Sequence, residues 1–147
     1  MNTETVKENI RRSLEREGYQ VHEELPYEGV NGKFTFYALQ ERTGKEKLIR
    51  VRDFTGATNA ATLQASLDEM ATVQTKIELQ TIGRRDGKKQ PLDLMLVGVN
   101  VHPNAGYEFV RDPRHTEALY NPDGVLRAGY QMEVNGLKKT GRFQLTF

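Results

Sequence analysis

The chain has no cysteine. Without thiols it can form no disulfide, no thiolate metal site and no cysteine nucleophile, a pattern expected of a cytoplasmic protein. An excess of one charge is also missing. With 21 basic and 20 acidic residues the formal net charge is +1, so global charge selects no partner class, although a local basic groove stays compatible with it. Long apolar runs are absent too. The longest candidate, Leu92 to Val101, is interrupted by Asp93, Gly98 and Asn100. It falls short of the ~20 residues of a membrane-spanning helix, and no membrane partner is expected. The start, Met1-Asn2-Thr3-Glu4-Thr5, leads into a charged amphipathic segment rather than the apolar core of a signal peptide.

Several catalytic signatures are lacking. There is no Gly-x-Ser-x-Gly elbow, and none of His22, His102 and His115 belongs to an HExxH pair. Gly29-Val30-Asn31-Gly32-Lys33 and Gly83 through Lys88 only approach a phosphate-binding loop, and Asn-Gly and Asp-Gly turns explain both. Neither a cofactor nor a metal site is expected.

What is present suits one folded domain over residues 1–147. Hydrophobic residues make up 37% and charged residues 28%, enough for a core within a well-solvated surface. Val6, Ile10 and Leu14 recur every four residues, which predicts a surface helix over about 5–17, with Thr5 and Glu8 at capping-box spacing and Gly18 ending it. A strand from Tyr19 to about Glu24 follows, then one from Lys33 to Gln40 with apolar residues on both faces. Thr43-Gly44-Lys45 turns the chain into Leu48–Arg52. Residues 57–76 are rich in alanine and lack glycine and proline, predicting one long helix with Ala60, Leu63, Leu67, Met70 and Gln74 on one face.

Ile77 to Ile82 alternates like a strand, Leu92–Val101 reads as a buried strand, and His102-Pro103-Asn104 reads as the turn ending it. A helical turn within 113–120, the turn Asn121-Pro122-Asp123-Gly124, and strands over 125–134 and 142–147 complete a β-rich last third. The expectation is an α+β domain with a mixed sheet and two main helices.

Alternation over Leu48-Ile49-Arg50-Val51-Arg52 turns Arg50 and Arg52 to one face. The run Arg52-Asp53-Phe54-Thr55-Gly56 follows, and Leu14-Glu15-Arg16-Glu17-Gly18-Tyr19 precedes it at the end of the first helix. With the order helix, three strands, long helix, about residues 8–85 resemble the restriction-endonuclease-like superfamily, the PD-(D/E)xK nucleases. The resemblance implies a first metal-binding Asp near Thr35 or Phe36, and an acid and a lysine at positions 50 and 52. All are replaced here. Carboxylates are needed to hold the catalytic Mg²⁺, and two arginines repel it, so the resemblance implies a scaffold without nuclease activity. Glu41, Glu46 and Asp53 are the nearby alternative acids.

Other candidates are weaker in pattern. Arg84, Arg85, Lys88 and Lys89 surround an Asp-Gly turn and could grip phosphates, while the plainer reading is a solvated hairpin loop. Lys138, Lys139 and Arg142 form a second basic stretch. Asp112, His115 and Glu117 gather polar groups around Pro113, suited either to acid–base work or to a capped polar loop. Tyr107, Phe109, Tyr130, Phe143 and Phe147 suit base stacking or, more simply, a core.

Three functional readings result. The first is a non-catalytic binding or accessory protein contacting nucleic acid or an acidic protein surface through Arg50, Arg52, Arg84, Arg85, Lys88 and Lys89. The second is a small homodimeric chaperone- or inhibitor-like module, since type III secretion chaperones resemble the same early element order. The third is an enzyme with a site around His115.

Overall fold

The four-residue repeat of Val6, Ile10 and Leu14 folds as helix α1, Thr3–Arg16, in a computed structural model that describes residues 2–23, 34–81, 91–115, 117–133 and 138–139. Asn2, rather than Thr5, caps the start: its Oδ1 accepts from the Glu4 N–H at 2.9 Å. At the other end Gly18 takes a φ of +88°, which glycine adopts without strain. The Gly18 N–H then donates to Glu15 O and the Tyr19 N–H to Leu14 O, both at 3.0 Å. This Schellman closure satisfies the last carbonyls and turns the chain into the sheet.

Strands β1 (Gln20–Glu23), β2 (Phe36–Gln40) and β3 (Lys45–Asp53) form an antiparallel meander. Helix α2 (Ala60–Thr81) then carries the chain to β4 (Pro91–Val99), which pairs parallel to β3. Such a parallel neighbour requires a long crossover, which α2 supplies. Helix α3 (Pro103–Arg111), a 3-10 turn (Pro113–His115) and the short β5 (Leu119–Tyr120) precede β6 (Leu126–Glu133), antiparallel to β4. The strand order is β1-β2-β3-β4-β6-β5, and β7 (Lys138–Lys139) pairs with the end of β6. Among the described residues no helix is long and apolar enough to cross a membrane.

Strand alternation separates two cores. On one face Phe36, Ala38, Ile49, Met95, Val97 and Val99 pack with Val6, Ile10 and Leu14 of α1. On the other, Leu48, Leu94, Leu96, Leu126 and Ala128 meet Leu63, Leu67 and Met70 of α2, with Ala105 and Phe109 of α3. The central pair β3–β4 is therefore covered from both sides, which explains its two-faced apolar pattern.

The α+β class and mixed sheet agree with the pattern read from the sequence. Two expectations are corrected. Residues 77–81 continue α2 instead of forming a strand. Lys76 to Gln80 contains good helix formers, and the first glycine comes only at 83, so nothing ends the helix earlier. His102-Pro103-Asn104 does not merely end a strand: it begins a third helix, α3. His102 is the N-cap, its Nδ1 accepting from Asn104 N at 3.1 Å, and Pro103 occupies the first turn without needing its missing N–H. The turn at 29–32 and the strand over 142–147 lie outside the described residues.

Candidate functional site

Arg50 and Arg52 project from β3 toward α2. The Arg50 side chain is only 15% exposed, and its Nη1 lies 3.6 Å from Glu69 Oε1. Burial holds its pKa below the ordinary guanidinium value, against the opposing pull of Glu69. Arg52 Nη1 donates to Ser66 Oγ at 3.2 Å, and its guanidinium lies 5.3 Å from the centre of the Phe54 ring. Ser66 and Glu69, three apart on α2, occupy one helical face and meet arginines two apart on β3. Both arginines are thus engaged inside the fold.

Of the other positions named by the nuclease resemblance, Thr35, Glu46 and Asp53 have hydrogen-bond partners. Thr35 Oγ1 accepts from the Val51 N–H at 2.9 Å, and Phe36 is buried. Glu46 receives the Tyr37 hydroxyl at 2.7 Å. Asp53 accepts from the Thr55 hydroxyl at 2.6 Å and its N–H at 2.8 Å, which hold the carboxyl below its usual pKa. Glu41 is exposed in the turn after β2. Among the described residues no group of three or more His, Asp or Glu side chains is placed to hold a metal ion. Arg84, Arg85, Lys88, Lys89 and Arg142 lie outside the described residues. Lys138 and Lys139 pair through their backbone with Glu133 and Met132.

His115 is buried, with its ring stacked on Phe109 at 4.0 Å between centroids and 6° between planes. Its Nε2 bonds to Gln64 Oε1 on α2, so this nitrogen carries the proton. Burial lowers the imidazole pKa, opposed by Asp112 and reinforced by Arg114. Asp112 itself is held down to about 2 by hydrogen bonds from Arg114, whose Nη2 stands 2.7 Å from Oδ2. The depression beside this corner is lined by Asn104, Glu108, Arg111, Asp112 and Pro113. Asp93 faces the opposite side of the sheet, where its Oδ2 is 3.8 Å from Lys47 Nζ. Lys47 also lies 5.2 Å from the Tyr19 ring centre, and burial, then the charges of Asp93 and Glu17, push the Tyr19 hydroxyl up to about 12. The polar groups around His115 and those around Asp93 are therefore separate clusters.

A further concavity among the described residues has no counterpart in the sequence motifs. It measures about 800 Å³ and lies between α1 and the β5–β6 turn, lined by Val6, Asn9, Arg12, Glu15, Arg16, Asn121, Val125 and Arg127. On α1, Asn9, Arg12 and Arg16 are spaced by three and four and so form one stripe, the only part of the signal visible in the sequence. Arg127 joins them because β6 alternates: Leu126 and Ala128 enter the α2-side core, and Arg127, opposite Val97 in register, faces the α1 side. No family model, no curated protein and no solved structure matches this chain.

Proposed function

We propose that this domain is a non-catalytic binding module on a nuclease-like scaffold, with nucleic acid as its partner. The observation that carries the reading is the fate of the two catalytic slots on β3: Arg50 is paired with Glu69 and Arg52 with Ser66. Positions that would hold an acid and a lysine in a PD-(D/E)xK enzyme serve here to fasten α2 to the sheet. The element order α1-β1-β2-β3-α2-β4 accords with the implied scaffold.

The contact residues of this reading are Arg84, Arg85, Lys88 and Lys89, with Arg50 and Arg52 bracing the helix that leads toward them. Helix α2 ends at Thr81, three residues before Arg84. Four cations within residues 84–89 would displace counterions from several phosphates and make binding strongly salt-dependent. Fluorescence anisotropy with labelled duplex and single-stranded oligonucleotides at low salt tests the partner, and a plasmid-nicking assay with Mg²⁺ or Mn²⁺ tests the absence of catalysis. Submicromolar binding weakened by Arg84→Glu/Arg85→Glu is expected, without cleavage. Micromolar or weaker binding that ignores this double substitution overturns the nucleic-acid reading.

A further inference from the structure

The groove between α1 and the β5–β6 turn lies across the sheet from α2 and does not depend on the reading above. We propose that it is a binding site for a phosphate-bearing ligand of nucleotide size. Three guanidinium groups, Arg12, Arg16 and Arg127, line it against one carboxylate, Glu15. They come from two elements far apart in sequence, so the fold brings them together. Arginine suits phosphate because its planar fork supplies two parallel donors to two oxygens.

The lining residues differ in how they are already engaged. Arg12 is 70% exposed and shares Glu8 at 3.1 Å. Arg16, also exposed, has no ion-pair partner among the described residues, so it can turn to a ligand without breaking a native contact. The Asn121 Oδ1 accepts from the Val125 N–H at 3.1 Å, which fixes the side chain and leaves its NH₂ as a further donor. Val6 and Val125 are buried and supply an apolar floor for a sugar or base. A volume of about 800 Å³ lies within the usual range for small-molecule sites, with room for more than inorganic phosphate.

The phosphate can belong to a free nucleotide or to the end of a strand. Isothermal titration at about 50 mM salt compares adenosine, inorganic phosphate, AMP, ADP, and a short oligonucleotide with and without a 5′-phosphate. Saturable binding of phosphate-bearing compounds, with adenosine and the unphosphorylated strand binding at least about tenfold more weakly, is the expected result. Tighter binding of AMP or ADP assigns the site to free nucleotides, and tighter binding of the 5′-phosphorylated strand assigns it to strand ends. Arg16→Gln changes an exposed residue and should weaken binding about tenfold, as the loss of one charge-assisted contact does. Adding Arg127→Gln should weaken it further. The Arg84→Glu/Arg85→Glu protein should keep full nucleotide affinity, which separates this site from the proposed nucleic-acid surface. Failure of every phosphate compound to bind more tightly than adenosine overturns the proposal, as does unchanged affinity in Arg16→Gln.

Discussion

Glu69 of α2 stands 3.6 Å from Arg50 of β3, joining the long helix to the interior of the sheet through charge as well as through apolar packing. Arg50 is largely covered while Glu69 is 43% exposed, so solvent screens the pair from one side. Glu69→Ala should therefore cost about 1 kcal/mol, near the upper end for a partly exposed pair, because it leaves a covered guanidinium without its carboxylate. Arg50→Met removes the charge together with its need for a partner and should lie within about 1 kcal/mol of the parent. Thermal denaturation reads both. A Glu69→Ala protein as stable as the parent would show that the pair contributes nothing.

On the proposed nuclease-like scaffold, supplying the (D/E)xK residues should not create catalysis. The double substitution Arg50→Asp/Arg52→Lys supplies the acid and lysine of (D/E)xK, yet position 35 still offers a hydroxyl bonded to the Val51 N–H instead of a metal-binding carboxylate. No Mg²⁺-dependent nicking of plasmid is expected. Cleavage by this variant would mean that a carboxylate such as Glu46 or Asp53 completes the site.

Stability should depend on the protonation of His115. Its folded pKa is lowered, chiefly by burial, so the native state favours neutral imidazole while the unfolded chain titrates near 6.5. Between these two values the unfolded state binds the extra proton, so stability rises with pH there. The contribution is fully present above about 6.5 and is lost as the pH falls toward the lower, folded value. His115→Gln should flatten this part of the profile in denaturant titrations from pH 7.5 down to about 5. An unchanged slope in that variant would assign the effect to another group.

Gly106 should tolerate no side chain. A Cβ at this buried position in α3 would clash with the Tyr120 ring. That ring is anchored, with its hydroxyl donating to Val101 O at 2.9 Å and its edge against Tyr107 at 5.2 Å between centroids. Gly106→Ala should therefore destabilise by about 1–3 kcal/mol as an overpacking substitution, despite alanine's better helix propensity. Combining it with Tyr120→Leu should recover part of the loss in urea titrations. Full stability of the single variant would show that α3 shifts freely away from β5.

Much of the architecture is local chemistry. The stripe Val6–Ile10–Leu14 and the glycine after it define α1, and the glycine-free stretch after residue 59 defines α2. Helix α3 was hidden because Asn104 and Gly106 are poor helix formers, and its stability comes from burying Ala105 and Phe109 against the sheet. The alternation of Ile77 to Ile82 imitates a strand at the end of α2, since alternation in so short a segment does not separate strand from helix.

The sequence by itself determined the order of elements from α1 through the start of α2, the alternation that places Arg50 and Arg52 on one face of β3, and the lack of an acid at either position. Only the tertiary structure decided what those arginines do, because Ser66 and Glu69 meet them through strand–helix packing over more than a dozen residues of chain. The same holds for the groove. Arg12 and Arg16 lie on α1 and Arg127 lies on β6, and no periodicity in one element reports a neighbour that the sheet supplies from another.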